Sequence, residues 1–160
     1  MSTRTTRILM IVLATIGLGL ASYLTYVHYA GIKPACTAGE SCTKVQTSIY
    51  SELAGVPVAL IGLIGYVAIL AALLAPESET TRLAAASLTL GGLGFSAYLT
   101  YRELFSIHAI CEWCVSSAIT MTLLTALALY RFLRGGHQDA SPTLAVSEQP
   151  SARPDSAGLA

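Results

Sequence analysis

Four long apolar runs make up most of the chain, and they leave it few folds to adopt. Each run is close to the ~20 apolar residues that a helix needs to cross the ~30 Å hydrocarbon core of a bilayer. Backbone polar groups in lipid must be paired within the spanning element, which favours helices. We therefore predict an all-α membrane protein built as a four-transmembrane-helix bundle. The predicted spans are residues 8–29, 56–75, 83–105 and 111–133.

The low charge content agrees with a chain that is surrounded by lipid. Only 11% of the residues are charged and 54% are hydrophobic, whereas soluble domains carry about 25% charged residues. The net charge is zero, so no nucleic-acid partner is indicated. A secretory signal peptide is the alternative for the first run, but its apolar region would be about 7–15 residues long. This run is longer and ends in Tyr23, Tyr26 and Tyr29, which favours a retained span.

The polar segments separate a membrane domain from a tail. We assign residues 1–136 to the domain and predict that residues 137–160, rich in Ala, Ser and Pro, form a disordered cytoplasmic tail. The loop Ala30–Gly55 between the first two spans is predicted to lie on the outer face, with a short helix at Ser41–Gln46. Pro57 is placed in the first turn of the second helix, where its missing N–H costs nothing.

Basic residues beside the spans predict the orientation, because cytoplasmic segments carry an excess of Lys and Arg. Five arginines flank one side and three basic residues flank the other, so the first side is assigned to the cytoplasm. Both termini then lie inside, and all four cysteines lie on the outer, oxidising face of the inner (plasma) membrane. The inner residues are Arg4, Arg7, Arg82, Arg131 and Arg134, and the outer residues are Lys33, Lys44 and Arg102.

An internal repeat relates the first and third spans. Gly19–Tyr26 reads Gly-Leu-Ala-Ser-Tyr-Leu-Thr-Tyr, and Gly94–Tyr101 reads Gly-Phe-Ser-Ala-Tyr-Leu-Thr-Tyr, at an offset of 75 residues. The same offset carries Cys36 onto Cys111. We interpret the repeat as a duplicated helix hairpin, in which the first and third spans run parallel and the cysteines lie at the same end.

The cysteines form two pairs of different spacing, Cys36-x5-Cys42 in the loop and Cys111-x2-Cys114 at the start of the fourth helix. A helix N-terminus favours a thiolate, which is the attacking species in disulfide exchange. Cys114 would lie about one turn deeper than Cys111, which suits a lipid-soluble acceptor such as a membrane quinone. The loop pair is placed for water-soluble partners. The pattern predicts a relay from a soluble dithiol through both pairs to a quinone.

Other uses of the cysteines remain open on these residues alone. Two structural disulfides without turnover would give a non-catalytic membrane protein. A zinc site of four thiolates is less favoured, because structural zinc sites commonly use Cys-x2–4-Cys spacings. No metal is therefore predicted. Trp113 and the Arg102–Glu103 pair are interpreted as residues of the membrane interface.

The combination of these features resembles the vitamin K epoxide reductase family in its bacterial form, over about residues 8–133. The features are four spans, a loop Cys-x5-Cys, Ser48 ahead of Gly55-Val56-Pro57, and a Cys-x-x-Cys that opens the fourth helix. The resemblance implies a four-helix bundle that surrounds a quinone, either ubiquinone or menaquinone. It implies that Cys114 works at the quinone and that Cys111 exchanges with the loop pair. The loop cysteines would accept electrons from a separate thioredoxin-fold, DsbA-like partner.

The resemblance also implies residues that bind the quinone. Ser48 matches the loop serine of the family. In the animal enzymes a tyrosine one turn beyond the Cys-x-x-Cys helps to bind the quinone, and Ala118 occupies that place here. Residues that open the second helix would line the pocket, namely Val56, Pro57, Ala59 and Leu60.

A DsbB-type protein is the main alternative assignment. It has the same four spans, but its Cys-x-x-Cys lies in the first outer loop and its wider pair lies in the second. The order here is reversed, which favours the vitamin K epoxide reductase family. Either assignment implies an enzyme that supports disulfide bond formation in exported proteins.

Overall fold

The computed structural model describes residues 3–36, 41–48, 50–53 and 55–139. Most of the predicted tail, residues 140–160, lies outside the described residues. Within the described ranges the chain forms five α-helices, a two-stranded ribbon and one π-helical turn, Glu103–Ile107. The elements are α1 (Thr3–Ala30), α2 (Ser41–Gln46), β1 (Glu52–Leu53), β2 (Val56–Pro57), α3 (Val58–Leu74), α4 (Glu79–Arg102) and α5 (Glu112–Asp139).

In the part of the chain that the structure describes, three stretches of helix are long and apolar enough to cross a membrane. They are Arg4–Ala30, Glu79–Ile107 and Glu112–Arg134. Helix α3 is equally apolar but has 17 residues, which gives it a length of about 26 Å. The all-α membrane class is confirmed. The length of α3 alone does not establish a fourth span.

Large apolar side chains cover the outside of the bundle. Ile16 of α1, Ile64 of α3, Leu90 of α4 and Ile119 of α5 are each more than half exposed. A water-soluble domain rarely exposes so continuous an apolar surface. All four long helices therefore present a surface suited to lipid.

The long helices pack as an up-and-down bundle, in which successive helices run in opposite directions. Helix α1 contacts α3 and α5, and α4 contacts α3 and α5. Buried residues at the centre include Met10, Tyr66, Leu73 and Leu124. Helices α1 and α4 run parallel, as the internal repeat predicts, and both end where the cysteines lie.

An arginine network closes the opposite end. Arg7 donates from Nε to the carbonyl of Leu73 at 2.9 Å and from Nη2 to that of Ala75 at 3.0 Å. These bonds satisfy carbonyls that the end of α3 would otherwise leave unpaired. Arg131, which is largely buried, forms a 2.6 Å ion pair with Glu77. The network ties α1, α3 and α5 together.

Helix α3, which corresponds to the second predicted span, begins two residues later than predicted. Leu53 pairs with Val56, and Glu52 pairs with Pro57, in an antiparallel ribbon. Gly55 has a positive φ of 80° at the turn, where glycine meets no steric penalty. Pro57 has an extended ψ of 130° and directly precedes α3. Val56 and Pro57 therefore belong to the ribbon, because pairing across the turn holds them extended.

Two other helix boundaries differ from the prediction. Helix α4 starts at Glu79, because Ser78 accepts a hydrogen bond from the Thr81 N–H and forms a capping box. Helix α5 continues through Gly135 and Gly136 to Asp139. Glycine costs about 1 kcal/mol relative to alanine in a helix but does not forbid one. The short helix predicted at Ser41–Gln46 is confirmed as α2.

Candidate redox site at the loop end of the bundle

Cys111 caps the first turn of α5. Its carbonyl accepts the Val115 N–H at 3.0 Å, and its Sγ accepts hydrogen bonds from the backbone N–H groups of Trp113 and Cys114. The side chain is fully buried. The pKa of Cys111 is lowered, chiefly because the Cys114 thiol donates a hydrogen bond to it, with the backbone N–H groups acting in the same direction. Burial and the Glu103 carboxylate oppose this shift. The backbone N–H groups at the helix start act in the predicted direction, but the Cys114 thiol is the larger cause of the lowered pKa.

Cys114 lies one turn further along α5. Both cysteines of the motif are free thiols. The Cys114 Sγ lies within hydrogen-bonding distance of the Cys111 Sγ and of the Glu103 carboxylate. It also lines the cavity described below. Cys114 therefore contacts two reactive groups and the cavity, whereas Cys111 faces the loop.

The loop cysteines form a disulfide. Cys36 and Cys42 are bonded, with their Cα atoms 6.2 Å apart. Cys42 lies on α2 and is fully buried, while Cys36 is partly exposed. The two sulfurs therefore differ in access to water.

The two cysteine pairs are adjacent. Cys42 and Cys111 belong to one buried cluster together with Val45 and Ala109. The Glu112 carboxylate and the two loop sulfurs all lie within 4.8 Å of one another. The start of α5 is thus packed directly against the loop disulfide.

Trp113 and Tyr23 hold the loop in place. The Trp113 Nε1–H donates to the Ala35 carbonyl at 2.7 Å, and the Ala35 N–H donates to the Tyr23 hydroxyl at 2.9 Å. The two rings also pack, with centroids 4.6 Å apart. Ala35 directly precedes Cys36, so these contacts position the loop disulfide. Trp113 was predicted only to anchor the chain at the membrane interface, and this contact with the loop was not predicted.

A cavity of about 300 Å³ opens inside the bundle beside Cys114. Four of the predicted quinone-binding residues line it, namely Ser48, Pro57, Ala59 and Cys114. The side chains of Val56, Leu60 and Ala118 are not among its lining residues.

The places of these three residues in the ribbon and the helices explain why they do not line the cavity. Val56 pairs with Leu53 in the ribbon and is exposed. Leu60 lies off the face of α3 that carries the lining residues. Ala118 lies beside the row of α5 residues that faces the cavity, which is Cys114, Ser117 and Met121.

Several polar residues of the cavity were not predicted. The Tyr66 hydroxyl reaches across from α3 to α5, 3.0 Å from the Ser117 Oγ and 3.2 Å from the Ser117 carbonyl. Gln46 of α2 also lines the cavity. The Ser48 hydroxyl lines it but donates to the Val45 carbonyl at 2.7 Å. Because α3 is apolar on every side, its sequence gave no signal that singled out Tyr66.

Glu103 was also missed. Glu103 was predicted to lie at the membrane interface, whereas the residue is 3% exposed. It accepts the Cys111 N–H at 3.1 Å and lines the cavity. An available signal was its position inside the apolar run that leads to Cys111, because ionisable residues in membrane segments are commonly functional.

A model of the Vitamin K epoxide reductase family matches residues 8–129. The chain belongs to the vitamin K epoxide reductase family. The matched segment includes all four cysteines and the residues that line the cavity. The match also agrees with the order of the cysteine pairs, which differs from the DsbB type.

Membership gives the chain a chemical class. As a member of the vitamin K epoxide reductase family, it is a membrane-embedded thiol–disulfide oxidoreductase. The family uses quinone and generally works with thioredoxin-like partners. The free dithiol and the adjacent disulfide supply the groups that such chemistry needs.

Proposed function

We propose that this protein oxidises a thioredoxin-fold, DsbA-like protein outside the cytoplasm and passes the electrons to a membrane quinone. The observation that carries the proposal is the single line of groups from Cys36 through Cys42 and Cys111 to Cys114. The first is partly exposed, the middle two are buried together, and the last lines the cavity. This order matches a path from water to the membrane interior.

Two disulfide exchanges would carry the electrons inward. The partner dithiol attacks Cys36, and the loop disulfide becomes two thiols while the partner gains a disulfide. The Cys42 thiolate then attacks Cys111 in the Cys111–Cys114 disulfide, and Cys114 leaves as a thiolate. Cys36 next attacks Cys42 and releases Cys111, so the loop is oxidised and the motif is reduced. The described structure has this last distribution, with an oxidised loop and a reduced motif.

The cavity supports binding of the quinone headgroup. Ligand sites commonly measure about 300–1,000 Å³ and are mostly apolar with a few polar groups. A cavity of about 300 Å³ fits a ring better than a ring together with its isoprenoid tail. When bound, a quinone accepts two electrons and two protons. Gln46 and Tyr66 can donate hydrogen bonds to its oxygens, and the Cys114 Sγ faces the same space.

We extend the proposal to topology and location. Helix α3 is the remaining span, because its outer side chains are as exposed and apolar as those of the other helices. The bundle then crosses the inner (plasma) membrane four times, with both termini in the cytoplasm. The arginine network at the Arg7 end agrees with this orientation. The cysteines then face the oxidising side, where the partner would be found.

Purified protein in liposomes would test the proposal. A reduced thioredoxin-fold protein is added, and quinone reduction is followed by absorbance with ubiquinone and menaquinone analogues in parallel. We expect reduction by the intact protein and none above background with Cys114→Ser. The matched control is Ser116→Ala, an exposed residue on the same helix, which should retain the rate.

The outcome separates catalysis from a structural role of the cysteines. If Cys114→Ser reduces quinone at the rate of the intact protein, the proposed route is wrong. If neither protein reduces quinone and no mixed disulfide with the partner forms, the cysteines are structural.

A further inference from the structure

Glu103 is a buried acid that lies between the motif thiols and the cavity. The residue is 3% exposed and lines the cavity beside Cys114. A buried charged group is costly unless it is hydrogen-bonded or paired. Its retention inside the bundle therefore needs a structural or chemical reason.

The backbone around Glu103 is irregular and holds the side chain in position. Helix α4 widens into a π-helical turn that begins at Glu103, and such turns are frequent at functional sites. The Glu103 carbonyl accepts the backbone N–H groups of His108 and Ala109. His108 has a positive φ of 51°, which is uncommon outside glycine. This segment turns the chain so that the Glu103 Oε2 accepts the Cys111 N–H at 3.1 Å.

Among the residues that the structure describes, no basic side chain lies within ion-pair distance of the Glu103 carboxylate. The neighbouring Arg102 instead bonds to the Tyr98 hydroxyl at 3.2 Å and stacks on Tyr50. The second contact of Glu103 is the Cys114 thiol. The acid thus faces a reacting sulfur and the space beside it, and Arg102, which lines the same cavity, makes its contacts with tyrosines instead.

We propose that Glu103 is a catalytic residue that carries the Cys114 proton to the quinone, an inference that rests on the proposed function. The carboxylate accepts the proton of the Cys114 thiol while the Cys111–Cys114 bond forms. Two electrons leave the dithiol and reduce the quinone to hydroquinone. Glu103 delivers its proton to one quinone oxygen, and water supplies the second proton, because Cys111 reacts as a thiolate that has already released its own. One thiol, one thiolate, one proton from water and one quinone thus become one disulfide and one hydroquinone, and Glu103 ends as it began.

A purely structural role is the alternative, since a side-chain oxygen at this position caps α5. The substitution Glu103→Gln separates the two roles. Glutamine offers an oxygen to the Cys111 N–H but cannot take up a proton. We expect an unchanged unfolding midpoint and quinone KM, and a quinone-reduction kcat lowered by about 10²–10⁴-fold, the range for general acid–base groups. The control is Glu79→Gln, an exposed acid at the other end of the same helix, which should retain activity.

A second readout needs no quinone. Infrared difference spectra between the dithiol and the chemically oxidised motif should contain a carboxyl C=O band that shifts in D2O. The band should vanish in Glu103→Gln and persist in Glu79→Gln. Glu103→Asp, if the glutamine variant does not fold, should keep the band and show an intermediate rate.

The outcomes remain distinguishable from those for the proposed function. If Glu103→Gln reduces quinone at the rate of the intact protein, or if the carboxyl band is insensitive to this substitution, the proton-carrier role is wrong. If the intact protein itself reduces no quinone, the proposed function fails, and the infrared band still decides whether Glu103 exchanges a proton with the dithiol.

Discussion

Gly17 is the position where the smallest change should disturb the cavity wall. A Cβ at this residue of α1 would lie 2.1 Å from the Tyr66 Cε1 and 2.3 Å from Cζ, whereas real Cβ contacts essentially never fall below 3.0 Å. Tyr66 is 1% exposed and lines the cavity. In Gly17→Ala the ring must shift by about 0.9 Å or more, the difference between these distances. A shift of that size stretches the hydrogen bonds of the hydroxyl to Ser117.

The cost follows from three terms. Overpacking a core costs about 1–3 kcal/mol, and a lost hydrogen bond costs about 1 kcal/mol. Replacing glycine with alanine within a helix stabilises the fold by about 1 kcal/mol, because alanine has the higher helix propensity. We therefore expect Gly17→Ala to lower the free energy of unfolding by about 2 kcal/mol and to raise the quinone KM, because Tyr66 lines the cavity.

Unfolding in detergent micelles, followed by circular dichroism, would measure the change. Gly19→Ala is the matched control, because nothing lies within 4 Å of a Cβ at that position, and it should be neutral or slightly stabilising. Tyr66→Leu removes the clashing ring atoms, so the two substitutions together should cost less than the sum of each alone. If Gly17→Ala is as stable as Gly19→Ala, Tyr66 does not pack on Gly17 and the described cavity wall is wrong.

Two further predictions concern the motif. In protein without loop cysteines, Cys114→Ala should raise the pKa of Cys111, because the main cause of its lowering is lost. The pH of half-maximal alkylation should then move up, and it should move less in Cys114→Ser, which keeps a donor; equal shifts would contradict this cause. Trp113→Phe keeps a ring but loses the 2.7 Å bond to Ala35. The lost hydrogen bond is worth about 1 kcal/mol, so electron transfer from the loop to the motif should slow by up to about tenfold. Quinone reduction by the pre-reduced motif should stay unchanged in stopped-flow experiments.

Much of the fold could be predicted because lipid imposes simple requirements. Apolar length and the need to pair every backbone group identify the helices before any packing is considered. The start of the second helix was misplaced at Val56 because the ribbon depends on pairing across a turn with Leu53. Such pairing is not visible in local propensity. The offset between Cys36 and Cys111 correctly indicated that both pairs lie at one end.

The site could be predicted only where its residues are chemically distinctive. Cysteines stand out in an apolar chain, so all four were predicted, and the structure brings them together in one cluster. Tyr66 and Ser117 were not, because helices that are apolar on every side carry no pattern that shows which face points inward. Glu103 was visible but was assigned to the interface, since the irregular backbone that buries it follows from packing between α4 and α5.

The route between the two pairs is the central claim, and one measurement tests it directly. In Cys114→Ser, Cys111 keeps its place beside Cys42 but has no partner within its own motif. Protein isolated from membranes, alkylated at once and digested without reduction should show by mass spectrometry a disulfide between Cys42 and Cys111, with Cys36 free. If Cys36–Cys42 is the only disulfide found and Cys111 is always alkylated, electrons do not pass between the pairs and the account is wrong.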